Sequence, residues 1–381
     1  MTDNLTITFP RKLLFGKGAI TTFADDVIAA GHRKIFILTI DPLLNILQPV
    51  IEKLESAGIW VQIDISIVNE PTFADFDKVM SDMDADTDLV AGIGGGSVLD
   101  VAKLVAAQLN NDQSLKDIVG IGFLKSRQTQ LACIPATAGT GSEVSPNSIL
   151  VDDEDQQKKG IISPYLVPDM VYVDPMLTMS VPPAITAATG LDALTHCLEA
   201  YTNKFAHPFI DLYALEGVRL IAANIVQAVN NGDDEYARTQ VAMGSMLGGF
   251  CLGPVNTAGV HALSYPLGSS YHLPHGLSNA LLLPYVMRFN APASPKRYAD
   301  IAIALGAQPG LTDIDTAENG IEKIEEIIAA CGIPATLSET GIRAEDIPGI
   351  AADAMKITRL LKNNPRPITY EDAVEIYNDA Y

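Results

Sequence analysis

Asp192 and His196 stand four residues apart in the segment TGLDALTHCLEAY, so on a helix they face the same side. Alone, such a pair fits a surface or core hydrogen bond as readily as a metal site. His261 and His275 add two more donors, and they sit in a stretch, Thr239 to Met287, that contains no Asp, Glu, Lys or Arg. A run that long without charge is expected to be buried, and buried imidazoles need partners. A bound cation is one such partner. Three imidazoles with one carboxylate suit Fe(II) or Zn(II), and no thiolate accompanies them as it would in a structural zinc site. His272, three residues before His275, reads as pocket lining or as a further ligand. His32 and His207, in polar or proline-flanked settings, read as surface residues.

A second group of residues suits an anion. DLVAGIGGGSVLDVAKLVAAQ runs from a strand through Gly94, Gly95, Gly96 and Ser97 into a helix. Glycines let backbone N–H groups approach a phosphate, and a helix start adds free amides and a positive dipole end. The spacing is not GxGxxG, so a tight connection explains it too. IPATAGTGSEVS follows another strand and offers Thr137, Thr140 and Ser142 between glycines, either to wrap a polar ligand or as a solvated loop. Asp41, after the strand IFILTI, could accept from ribose hydroxyls and repel a 2′-phosphate, or simply form a turn.

These residues must be held by an ordered framework. KIFILTID, LNILQPVIEKLESAG, VQIDISIV and DLVAGI alternate strand and helix patterns, which predicts parallel strands joined by crossover helices. TQLACIPA, NSILVDD and MVYVD are further strand candidates. Beyond the proline-rich segment Asp174 to Pro183 the patterns are helical, which predicts an α/β domain over residues 1–180 and an all-helical domain over 181–381.

At 381 residues two domains of ordinary size are expected. A net charge of −21 and the lack of a basic cluster exclude nucleic acid and anionic membrane surfaces as partners. Gly, Pro, Ser, Thr and His interrupt the long uncharged stretches, which argues against a membrane helix. The start, MTDNLTITFPRKLLF, lacks the pattern of a secretory signal, and a cytoplasmic protein is expected. Cys133, Cys197, Cys251 and Cys331 are widely spaced and read as buried small hydrophobes.

Taken together, the chain resembles the iron-containing, or group III, alcohol dehydrogenases. GGGSVLDVAK, PATAGTGSEVS, PYLVPDMVYVDP, TGLDALTHCLEAY, GVHALSYPLG, LPHGLSNALLLPYVMRFN and LLKNNPRPIT match in family order over nearly the whole length. The resemblance implies a Rossmann-like amino-terminal domain followed by an all-helical carboxy-terminal domain, the dehydroquinate synthase-like architecture, with NAD and metal in a cleft. It places metal ligands on Asp192, His196, His261 and His275. Cofactor contacts fall on Asp41, the Gly94, Gly95, Gly96, Ser97 turn with Asp100 after it, Thr137, Thr140 and Lys158. Asn147 and Leu252 fall on substrate-pocket positions, with His272 beside them. His261, His272 and His275 are the expected catalytic residues. One position departs: many members carry histidine four residues after the first ligand of GVHAL, where this chain has Tyr265, a poorer proton shuttle near neutrality.

The implied function is a metal-dependent, NAD(H)-linked alcohol dehydrogenase or aldehyde reductase. The metal is Fe(II), with Zn(II) as the alternative. Asp41 favours NAD over NADP. The segments around Asn147, Phe250 to Thr257 and His272 contain no Lys or Arg, so a short uncharged alcohol, diol or hydroxyaldehyde is expected. Alternatives are a hydroxyacid dehydrogenase or transhydrogenase, a maleylacetate-type reductase, and a dehydroquinate synthase-like lyase. A homodimer or larger homo-oligomer is expected.

Overall fold

The computed structural model describes residues 4–381. Among the described residues nine strands are formed: β1 (Lys12–Phe15), β2 (Lys34–Leu38), β3 (Trp60–Asp64), β4 (Leu89–Gly94), β5 (Gly120–Ile121), β6 (Gln130–Pro135), β7 (Asn147–Val151), β8 (Lys158–Ile162) and β9 (Met170–Val173). Helices α1 (Ala19–Ala30), α2 (Leu44–Ser56), α3 (Phe73–Asp82) and α4 (Gly96–Gln108) are interleaved with the first of them. Six strands make a wholly parallel sheet in the order β1, β9, β6, β4, β2, β3. The central strands β4 and β6 are apolar on both faces because both faces are covered. Phe23, Leu47 and Leu54 from α1 and α2 pack on one face, and Phe76, Leu99 and Val105 from α3 and α4 pack on the other. This is the doubly wound, Rossmann-like layering that the alternation of patterns predicts.

Some elements depart from the sequence patterns. VQIDISIV forms a strand only through Asp64, at the sheet edge, where Trp60 stays exposed. NSILVDD does form β7, but β7 pairs antiparallel with β8 in a separate three-stranded sheet with β5. Strands β1, β5 and β8 are too short or too polar to stand out in the sequence.

The described residues from Pro183 onward form helices and short 3-10 turns, with no strand. The α-helices are α5 (Pro183–Thr202), α6 (Pro208–Asn230), α7 (Glu235–Leu252), α8 (Gly259–Tyr271), α9 (His275–Asn290), α10 (Pro295–Ala304), α11 (Asp313–Ala330), α12 (Ile347–Ala354), α13 (Thr358–Leu361) and α14 (Tyr370–Asp379). Helix α5 is buried along most of its length because α6, α7 and α9 pack around it. The chain divides into two compact units. One comprises Ile7–Thr137 and Gly141–Thr178; the other comprises Met179–Tyr381, Ala138–Thr140 and the described residues up to Thr6. Among the described residues no helix is long and apolar enough to cross a membrane.

Candidate metal and dinucleotide sites

Helix α5 presents Asp192, His196 and Glu199 at intervals of four and three residues, hence on one face. His261 comes from the first turn of α8, and His275 is the first residue of α9. Close helix packing brings α9 in. Gly276 lies so near α5 that a Cβ there would sit 2.1 Å from the Ala188 carbonyl oxygen.

Three imidazole nitrogens converge on one carboxylate oxygen. Nε2 of His261, His275 and His196 lie 3.5, 3.7 and 3.8 Å from Asp192 Oδ1. The donor atoms of Asp192, His261 and His275 all fall within 4.8 Å of one another. His196 stands at the edge of this group, its ring stacked on His261 with centroids 4.7 Å apart. The side chains of Asp192, His196 and His261 are at most 6% exposed, whereas His275 is 31% exposed, so the cluster opens on the His275 side.

The electrostatics follow from burial and proximity. Burial would push the Asp192 carboxyl up, but His196, His275 and His261 outweigh it and hold the group well below the usual carboxylate range. Burial pulls His196 down to about 4 despite Asp192, which keeps this ring neutral. For His261 burial is outweighed by Glu199 and Asp192, and the ring is raised to about 9.

Two residues of this site escape the motif reading. Glu199 Oε2 lies 2.5 Å from His261 Nδ1, and its Oε1 accepts from the Val260 backbone N–H at 2.6 Å. Asn279, one turn after His275, places Nδ2 2.7 Å from Asp192 Oδ1, 3.1 Å from His261 Nε2 and 3.3 Å from His275 Nε2. Its buried Oδ1 has no hydrogen-bond partner among the described residues. The signal for both was present. Glu199 extends the Asp192 and His196 face by one turn, and Asn279 follows His275 at i+4. A buried carboxylate, three imidazoles and an orphaned amide oxygen, without thiolate, fit a borderline divalent cation such as Fe(II) or Zn(II).

His272 does not join this group: it caps the end of α8 in the left-handed conformation, φ 55°, and is exposed. Tyr265 is buried, with its ring 5.8 Å from His275. Leu252 is the buried last residue of α7, and Asn147 is the first residue of β7. His32 is not the surface residue expected, because Asp88 draws it in: its side chain is 8% exposed, with Nδ1 3.1 Å from the Asp88 carboxylate. His207 caps α6 by accepting from the Phe209 N–H at 3.1 Å. All four cysteines are buried and unbridged.

In the α/β unit, β3 lies on one side of β2 and β4 on the other, so the connections after β2 and β4 diverge. That is the switch point at which open α/β sheets bind nucleotides, beyond the carboxyl ends of the strands. Asp41, exposed, opens the turn after β2; Gly94 ends β4, and Gly95, Gly96 and Ser97 lead from it into α4. Gly95 caps α4 without a side-chain bond, which leaves the helix-start amides available. A Cβ at Gly95 would meet Thr137 Oγ1 at 3.5 Å, so Thr137 borders the same turn. Lys158, on β8, is ion-paired with Glu70. Thr140 is half-buried. Asp100 points elsewhere: its carboxylate accepts from Ser142 Oγ and from the Ile149 N–H at 2.9 Å.

Known proteins resemble this chain along both of its halves. The family pattern described as iron-containing alcohol dehydrogenase matches residues 10–175, and that of the Fe-containing alcohol dehydrogenase family, C-terminal, matches residues 186–381. Long-chain-alcohol dehydrogenase 1 of Geobacillus thermodenitrificans is 39% identical over 98% of this chain and 96% of its own. The crystal structure of a 1,3-propanediol oxidoreductase superposes with a TM-score of 0.95 at 33% identity, covering 100% of both chains. The structure of sulfoacetaldehyde reductase from Bifidobacterium kashiwanohense in complex with NAD+ gives 0.88 at 28% identity over 99% of both. With both halves of the sequence matched and the donor cluster in place on α5, α8 and α9, the chain belongs to the iron-containing alcohol dehydrogenase family.

Proposed function

We propose that the protein is a metal-dependent, NAD(H)-linked alcohol dehydrogenase or aldehyde reductase acting on a short uncharged alcohol, diol or hydroxyaldehyde. The observation that carries this reading is the convergence of His196, His261 and His275 on Asp192 Oδ1. These four residues would hold Fe(II). When bound, the metal supplies Lewis acidity toward the oxygen of an alcohol or carbonyl substrate.

The chain's own groups provide position and charge. Glu199 accepts a hydrogen bond from the Nδ1–H of His261 and so directs Nε2 toward the cation it would bind. The exposure of His275 marks the side from which substrate approaches. The Gly94 to Ser97 turn and the start of α4 offer amides to a pyrophosphate, Thr137 borders them, and Asp41 stands at the strand end where adenosine ribose hydroxyls are bound in such folds. Lys158 of the α/β unit and Thr140 of the helical unit are further proposed cofactor contacts; Asn147 of the α/β unit is a proposed substrate contact, as are Leu252 and His272 of the helical unit. Hydride chemistry belongs to the nicotinamide; the protein orients it.

An uncharged substrate is supported by the lack of Lys and Arg in the sequence segments around Asn147, Phe250 to Thr257 and His272; Lys103, which reaches the Asn147 carbonyl, is fully buried and uses its hydrogens on that carbonyl and on Ser145. Arg366, a basic residue near the carboxyl end, lies over the Phe289 ring at 3.8 Å and donates to the Phe289 carbonyl, so it is engaged elsewhere. A homodimer or larger assembly is supported by the exposed Phe205, Phe209 and Leu212 of the helical unit. A cytoplasmic setting is supported by four buried, unbridged cysteines.

The test is anaerobic metal analysis alongside NADH oxidation with aldehydes from short to long chain, on wild type and His261→Ala. About one metal per chain, with metal and turnover lost together in the variant, is the expected result. Full activity without metal would remove the ligand assignment. Preference for long-chain aldehydes would move the substrate toward that of the Geobacillus relative.

A further inference from the structure

Lys103 is a lysine with no exposed surface, on the apolar helix α4. Its Nζ donates to the carbonyl oxygens of Ser145 and Asn147 at 2.9 and 2.8 Å and to Ser145 Oγ at 3.3 Å. All three ammonium hydrogens are thereby used. One turn earlier, Asp100 receives Ser142 Oγ and the Ile149 N–H, and its own carbonyl accepts from Ser148 Oγ at 3.0 Å. Residues 100 and 103 share a helix face, so α4 grips the segment Ser142 to Ile149 with an acceptor and a donor at adjacent points, burial pushing the Asp100 carboxyl up and the Lys103 amine down.

Burying a charge costs several kcal/mol, and an apolar residue of similar volume would fill the space more cheaply. What an apolar residue could not do is satisfy the carbonyls of an irregular segment. Ser142 to Pro146 lie outside any strand, and the ladder of β7 begins only at Asn147. The same stretch of chain is anchored at its other end, where the Ala136 N–H donates to the Gly94 carbonyl at 2.8 Å. Thr137 lies between the two anchors. One anchor is the glycine turn itself, and the other is the helix that this turn begins. Glu143 is the other buried titratable group acting on Lys103 from the gripped segment.

We propose that Lys103 and Asp100 are positioning residues for the dinucleotide: by fixing Ser142 to Ile149 on α4, they hold Thr137 beside the Gly94 to Ser97 turn as one preformed wall for the pyrophosphate. Neither residue touches the cofactor. The inference rests on the cofactor reading above and assigns the loop's rigidity to this pair. A preformed wall saves the ordering cost of binding, so its loss weakens NADH affinity without affecting the metal ligands on α5, α8 and α9.

The test is fluorescence titration of full-length wild type, Lys103→Met and Asp100→Asn with NADH, together with metal content and steady-state kinetics. Lys103→Met is expected to weaken NADH binding about tenfold or more, with metal per chain unchanged, KM for NAD(H) raised, and kcat at saturating cofactor nearly kept. Lys103→Arg should recover part of the affinity, which a purely structural role would not predict for a bulkier buried group. NADH affinity within about twofold of wild type in Lys103→Met overturns the proposal. If that variant does not fold, Asp100→Asn decides by the same criterion. A wild type that binds no NADH overturns the cofactor reading and this proposal with it; equal binding by wild type and variants overturns this proposal alone.

Discussion

The Nδ1 atom of His261 lies 2.5 Å from Oε2 of Glu199, and both side chains are buried. Glu199 also accepts the Val260 N–H, so one carboxylate joins the first turn of α8 to α5 and aims His261 Nε2 at Asp192. Partners of this kind set the orientation and basicity of a ligating imidazole. Glu199→Gln is expected to lower metal affinity about 10- to 100-fold, measured by competition with a chelator. Unchanged affinity would mean that packing alone orients His261.

The approach of α9 to α5 depends on Gly276. A Cβ there would sit 2.1 Å from the Ala188 oxygen and 3.2 Å from the Asp192 Cβ, so backbone atoms would have to move. Gly276→Ala is therefore expected to destabilise the protein by about 1–3 kcal/mol and to displace the neighbouring His275. Denaturant unfolding and metal content of the purified variant measure the two effects. A variant with wild-type stability and metal content would show that α9 can shift without losing the site.

Glu143 gives a pH dependence whose sign is determined. Burial raises its carboxyl from 4.5 to about 7, partly opposed by its own backbone amide and by Lys103. The folded state then keeps a proton that the unfolded state has lost between these two values. Stability should fall as pH rises through that window, by up to about 1.4 kcal/mol per pH unit, and the penalty is complete above pH 7. Glu143→Gln should remove this slope, so that melting curves show the variant gaining on wild type from acidic to neutral pH. Parallel curves would place the Glu143 carboxyl back in its ordinary range.

Asp41 is exposed at the end of β2, where a 2′-phosphate would meet its charge. An exposed repulsion is worth up to about 1 kcal/mol, so Asp41→Gly should raise the ratio of kcat/KM for NADP to that for NAD by about fivefold. No change in that ratio would mean that selectivity is set elsewhere.

The pairing of Asp192 with His196 was legible because it rests on helical spacing: the two share a face wherever that segment is helical. Its support was less legible. Glu199 resembles any acidic residue on a helix until α8 is laid against it, and Asn279 resembles a surface amide until α9 turns it inward. His32 misled for the same reason, because its partner Asp88 comes from a distant segment of the chain. The three-stranded sheet was missed because β5 is two residues long and β8 carries two lysines.

By itself the sequence determined what is local: the alternation that makes a parallel sheet, the glycine turn that opens α4, the i, i+4 pair on α5, and the ordered segments that place the chain in its family. Tertiary structure decided the rest. His261 and Glu199 are 62 residues apart, and Lys103 and Ser145 are 42 apart. Side-chain periodicity fixes which face a residue occupies, but only the packing of one element on another decides what that face meets.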